Sequence, residues 1–210
     1  MSIIFELYLA FKYINSSNEA EALFGITTLM EGIIGAIGLF LTAPLTGHRL
    51  RFKPEQFQKY NSHTIFRAAI ILGVLLVIQM IFQYIPLTIR DEDVAIAIVF
   101  AAPAEESFFR GFLMSFFLYM SSKTPTKKIR FFSFFSISIL ELMGMALSSL
   151  LFSFLHVNYY GNMNLLVMVF FSGLVLCIFF WKWRDLTALI LAHLFLNIWV
   201  VGKYFWMVYF

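Results

Sequence analysis

The chain has 210 residues, of which 61% are hydrophobic and 13% charged, with a formal net charge of +3. Soluble domains carry about 45–50% apolar and about 25% charged residues, so this composition excludes an ordinary water-soluble fold. It points to an integral membrane protein forming one membrane domain over 1–210, and so small a net charge gives no reason to invoke nucleic acid.

The N-terminal run MSIIFELYLAFKYI is apolar but carries Glu6, and it has neither a basic start nor a small-residue cleavage site, so it does not read as a signal peptide. It is too short to span a bilayer, and residues 1–21 are expected to form an interfacial or packed N-terminal segment. Six apolar segments follow, at 22–46, 66–89, 94–120, within 131–157, 163–181 and 186–209. Each is near or above the roughly 20 residues that a spanning helix needs. The first offers Gly32, Gly35 and Gly38 for close helix packing, and the fifth holds the single cysteine, Cys177, which reads as a buried small hydrophobe. The loops alternate in charge. Loop 47–67 holds Arg49, Arg51, Lys53, Lys59 and Arg67; loop 121–130 holds Lys123, Lys127, Lys128 and Arg130; the turn 182–185 holds Lys182 and Arg184. The stretch 90–93 is mainly acidic and 157–164 is uncharged. Basic loops stay in the cytoplasm, so both termini are expected outside. The expected fold is all-α: a polytopic transmembrane helix bundle of about six spans. So short a chain suits a prokaryotic inner or plasma membrane.

Three polar islands interrupt the apolar runs. The first is PAEESFFRGF at 103–112. A charge near the middle of a spanning helix costs roughly 2.5–3.5 kcal/mol on insertion scales, so its retention marks a functional-site hypothesis. Glu106 and Arg110 are four apart, share a helical face and can pair. Glu105 is turned about 100° away, toward a wet cavity where burial suits it to general-base work. Pro103 removes a helix hydrogen bond just before the pair and frees backbone carbonyl groups toward the same cavity. The second island is FSFLH, where Phe152 can wall a pocket beside His156; alone, a histidine at a span end is more often interfacial. The third is HLFLN, with His193 and Asn197 on one face; the plain alternative is a helix-to-helix hydrogen bond worth about 1 kcal/mol. A carboxylate, two imidazoles and an amide on three helices suit one job, the activation of water against an amide bond. Glu105 takes the proton, a histidine holds the water, and Asn197 with the other histidine donates to the oxyanion.

These motifs, EESFFR, FSFLH and HLFLN in that order over about 94–200, resemble the CPBP intramembrane proteases, related to the CAAX prenyl endopeptidases and also called the Abi family. The resemblance implies a glutamate-dependent intramembrane endopeptidase. In it Glu105 and His156 activate water, Glu106 and Arg110 support the site, and His193 and Asn197 form the oxyanion site. The implied partners are the lipid bilayer and a membrane-associated peptide or protein, cut in peptide maturation or C-terminal processing. Two histidines and a glutamate also match the three-ligand pattern of catalytic zinc, but the compact H-E-x-x-H arrangement is missing, and no metal is the favoured expectation. The competing readings are a non-enzymatic immunity or binding protein that keeps the fold, and a small transporter using the glutamates as a proton relay.

The depths of these residues do not coincide on straight helices. Glu105 falls roughly 16 Å below the outer end of its span, whereas His156 falls near the outer end of the fourth. Either the fourth span ends early inside the membrane, or the segment 157–164 dips inward; a break or tilt is expected in 131–156, with Glu141 near the cytoplasmic boundary. Glu31 either lines the cavity or bonds a neighbouring helix. Gln79 and Gln83 read as inter-helix contacts, His48 and His63 as solvated, and Trp181, Trp183 and Tyr209 as interfacial anchors.

Overall fold

Apolar runs of this length can satisfy their backbone polar groups only within themselves, and helices do so. A computed structural model describes residues 2–46, 54–82, 92–124, 128–131, 135–156 and 163–209. In chain order these form α1 (Ser2–Tyr13), α2 (Glu19–Thr46), α3 (Pro54–Ile81), α4 (Glu92–Glu106), a π-helix (Ser107–Met114) and α5 (Ser115–Lys123). Two short strands follow, β1 (Lys128–Phe131) and β2 (Phe135–Ser138), then α6 (Ile139–Leu155), α7 (Met163–Trp183) and α8 (Leu186–Tyr209). The fold is an all-α helical bundle with one small hairpin. Among the described residues three helices are long and apolar enough to cross a membrane: His63–Ile81, Met163–Trp183 and Leu186–Met207. Phe24–Gly38 and Ile139–Leu155 are shorter apolar helices.

Several elements differ from the expected pattern. The second apolar segment begins earlier, because α3 starts at Pro54, and proline is well suited to a first helical turn. Arg67 therefore lies inside α3 rather than in a loop. Within the expected loop 121–130 and the start of the fourth span, residues 121–123 end α5, and Lys128–Phe131 pairs antiparallel with Phe135–Ser138, Lys128 opposite Ser138 and Phe131 opposite Phe135. The helix begins only at Ile139, where Ser138 accepts from the Glu141 backbone and the Glu141 carboxylate accepts from the Ser138 backbone. This reciprocal capping box supplies the anticipated break. The remaining helix, 17 residues ending at Leu155, measures about 25 Å, short of the roughly 30 Å hydrocarbon layer. The fourth helix thus ends early. His48, Arg49, Arg51, Lys53, Gln83 and residues 157–162 lie outside the described residues, as does the side chain of Tyr209.

Close backbone approach ties α2 to the centre of the bundle. A Cβ on Gly35 would sit 2.6 Å from the Ala104 Cβ, and one on Gly38 would sit 2.6 Å from the Ser107 carbonyl oxygen. The N-terminal α1 packs on α2 and α4, with Leu9 and Ala10 fully buried. The largest core joins α3, α5, α6, α7 and α8 through residues such as Ile71, Leu75, Leu118, Met145, Leu176 and Leu189. Cys177 is fully buried in it.

A polar clamp closes the end of this core that carries Lys182 and Arg184. Arg184 takes a φ of 52°, a left-handed conformation that stops α7. The next residue, Asp185, caps α8 by accepting from the Ala188 backbone at 3.1 Å. Its other oxygen accepts from Arg67 at 2.9 Å and from Thr64 at 3.1 Å. The Arg67 guanidinium lies 5.7 Å from the centre of the Trp183 ring, and that ring stacks on Phe179.

The Gly38 contact is with backbone, which cannot swing aside. Gly38→Leu is expected to destabilise the protein by about 3 kcal/mol and to lower its monodisperse yield in detergent. Gly73→Leu, at a site with nothing within 4 Å of the added Cβ, is expected to leave yield and melting temperature unchanged.

Candidate active site

The acidic pair lies where an α-helix widens. Ala101, Ala102 and Ala104 are buried and let α4 sit tightly among its neighbours. Pro103 has no N–H to donate. From Ser107 to Met114 the backbone follows the wider π pattern, a form frequent at functional sites. Serine hydroxyls attend to its carbonyl groups: Ser107 donates to the Pro103 oxygen, Ser115 to the Arg110 oxygen at 3.1 Å, and Ser148 from α6 to the Phe109 oxygen at 2.9 Å.

Arg110 and Glu106 are both fully buried. Arg110 donates from Nη1 to Glu106 Oε1 at 2.8 Å and from Nη2 to the Gly173 carbonyl oxygen at 3.2 Å. Its guanidinium stands 4.5 Å from the centre of the Phe152 ring. Glu106 Oε1 also faces His193 Nδ1 at 2.9 Å. One carboxylate oxygen therefore joins the arginine to a histidine on another helix. Glu106 Oε2 and Arg110 Nε have no hydrogen-bond partner among the described residues.

Glu105 points the other way, between two imidazole rings. Its Oε1 is 3.6 Å from His156 Nε2 and its Oε2 is 3.5 Å from His193 Nε2. His156 is the residue at which α6 ends, with φ −88° and ψ 0°. Its Nδ1 lies 2.8 Å from the Phe152 carbonyl oxygen. That oxygen only accepts, so Nδ1 carries the hydrogen and the neutral ring presents Nε2 as an acceptor. Phe152 is buried, with ring-centre distances of 4.7 Å to His156 and 5.8 Å to His193. Asn197, one turn beyond His193 on α8, donates from Nδ2 to the Ile98 carbonyl oxygen at 2.7 Å.

The structure thus brings Glu105, Glu106, Arg110, Phe152, His156 and His193 into one buried cluster. Asn197 stands beside it on a shared cavity. That cavity, about 60 Å³, is lined by His156, His193, Asn197, Ile98, Gln79 and Ser172 together with apolar side chains. It exceeds the space one water needs. The early end of α6 is what brings His156 level with Glu105.

Two lining residues were not anticipated. Gln79, read from the sequence as an inter-helix contact, lines the cavity between the helices, and Ser172 lines it too, a small hydroxyl that nothing in its apolar run marks out. The signal for Gln79 was a lone carboxamide in the run LGVLLVIQMIF, which marks a polar neighbour without saying which one. Glu31 is buried on α2. Zinc fits poorly. Glu105, His156 and His193 have suitable donor chemistry, yet among the described residues no group of three His, Cys, Asp or Glu is arranged to hold a metal ion. Both Nε2 atoms face carboxylate oxygens, and His193 Nδ1 is engaged with Glu106.

A helical bundle with membrane-length spans and a buried acid–imidazole cluster narrows the class to membrane-embedded proteins with a polar reaction chamber. A family model described as type II CAAX prenyl endopeptidase Rce1-like matches residues 93–199, about half of the chain and all of the acid–imidazole cluster. The chain belongs to that family, and so to the CAAX-type membrane proteases. No curated protein and no solved structure matches it.

The two glutamates are expected to differ in what their loss does to folding. Glu106→Gln strands a fully buried arginine and is expected to cost about 3 kcal/mol, read as a lowered melting temperature and yield in detergent. Glu105→Gln is expected to leave both near wild type. Equal destabilisation by the two changes would contradict this division.

Proposed function

We propose that the protein is a glutamate-dependent intramembrane endopeptidase. It hydrolyses a peptide bond in a membrane-associated peptide or protein, during peptide maturation or C-terminal processing. One observation carries the proposal: Glu105 is bracketed by the Nε2 atoms of His156 and His193 at 3.6 and 3.5 Å, and both of these histidines line a small cavity. These separations are long for direct hydrogen bonds and suit a bridging water.

The chemistry follows from the acceptors. A water donating to both Glu105 and His156 Nε2 presents its lone pair to a substrate carbonyl carbon. As the new C–O bond forms, the water proton passes to Glu105. The carbonyl oxygen becomes an oxyanion, for which Asn197 has an amide hydrogen to spare: Ile98 takes one and fixes the orientation of the other. His193, oriented by Glu106 through Nδ1, adds its Nε2 edge to the same space beside Asn197. Collapse of the tetrahedral intermediate breaks the C–N bond, and the proton held by Glu105 goes to the departing nitrogen. Arg110 pairs with Glu106 and holds it in place without touching the substrate. We read the reaction as metal-independent, with Glu105 itself taking the proton of the attacking water.

The test uses purified protein in lipid nanodiscs and two internally quenched peptides ending in a CAAX sequence, one S-farnesylated and one not. Cleavage of either is expected, with a loss of at least about a thousandfold in Glu105→Gln. A dipicolinate wash followed by metal-free buffer is expected to leave the rate unchanged; a rate abolished by the wash and restored by zinc refutes the metal-free reading. Full biological activity in Glu105→Gln would instead indicate an immunity or scaffold protein.

A further inference from the structure

We propose that Gln79 on α3 and Ser172 on α7 form a substrate subsite, which holds the peptide main chain beside the bond to be cut. The proposal rests on the peptidase reading above and extends it to two residues outside the three motifs.

Both side chains line the cavity shared by His156, His193 and Asn197. They come from α3 and α7, whereas the motif residues come from α4, the π-helix, α6 and α8. Neither Gln79 nor Ser172 has a hydrogen bond to another described residue. The contrast with the other buried serines is informative. Ser107, Ser115, Ser148, Ser149 and Ser153 each donate to a backbone carbonyl oxygen, and Ser138 bonds the Ser121 hydroxyl and the Glu141 backbone. Ser172, only 8% exposed, does not. Gln79 lies within the apolar window His63–Ile81, where an amide without a partner costs about 1–3 kcal/mol. Both groups are neutral, and each offers a donor and an acceptor. A peptide unit has the same complement, one N–H and one C=O. A charged ligand would call for a counter-charge that neither residue has.

The experiment compares wild type, Gln79→Met and Ser172→Ala in nanodiscs, with the farnesylated quenched peptide as substrate. Met keeps the length of the side chain and removes its hydrogen bonding. Gln79→Met is expected to raise KM about tenfold with kcat within twofold of wild type, and Ser172→Ala to raise KM about threefold. Gln79→Asn, which keeps an amide, is expected to recover part of the loss, which a purely structural role would not predict. An unchanged KM overturns the subsite, as does a fall in kcat at constant KM. A second measurement separates this proposal from the peptidase reading. Binding of the same peptide, fluorescently labelled, is followed by polarisation in Glu105→Gln protein with and without Gln79→Met. A tenfold rise in Kd supports the subsite even if wild type cleaves nothing, a result that would remove only the peptidase reading. No binding, or equal Kd in both proteins, overturns the subsite.

Discussion

A fully buried arginine inside an apolar bundle must find a counter-charge, and the rest of the site is arranged around that requirement. Arg110 is answered by Glu106, and the same Glu106 oxygen also meets His193 from α8. The remaining guanidinium nitrogen contacts reach the Gly173 carbonyl and the face of Phe152. One ion pair therefore positions α7, α6 and α8 relative to the helix that carries it. Glu105, the next residue along, turns away from the pair and toward the imidazole rings. Neighbouring carboxylates in sequence end up with separate surroundings because one faces the arginine and the other lies between the Nε2 atoms of two imidazoles.

The backbone adapts to make this possible. A π-helix gives its carbonyl groups poorer alignment than an α-helix does, and here hydroxyls from within the helix and from α6 supply part of what is missing. Gly38 brings α2 directly against the first turn of the widened segment, so the unusual helix is held from outside as well. The same logic appears at the other end of the bundle. There Asp185 serves at once as a helix cap, as the partner of Arg67 and as an acceptor for Thr64.

Much of this was legible in the residues, and the gaps have physical causes. Four-residue spacing exposed the Glu106–Arg110 and His193–Asn197 faces, and the costs of charge in lipid drew attention to Glu105. The hairpin was masked by its own composition: an aromatic-rich run reads as membrane unless the Ser138–Glu141 capping box is given more weight than the hydropathy. The π-helix was not legible, because it depends on hydroxyl partners such as Ser148, 39 residues from the carbonyl it serves. Arg67 looked like a loop cation for a similar reason, since its partner Asp185 is 118 positions away. The orientation of Gln79 depends on which helices face α3, and periodicity within α3 alone does not contain that information.

The clamp at Asp185 also acts as a depth gauge. His193 lies a little over two helical turns beyond the capped start of α8, about 12 Å along the axis. Because Asp185 is tied to both α3 and the helix start, that interval cannot slide. The depth of the His193 ring below the Asp185 end is thus written into a rigid stretch of helix, fixed by the cap rather than by the residues around the ring.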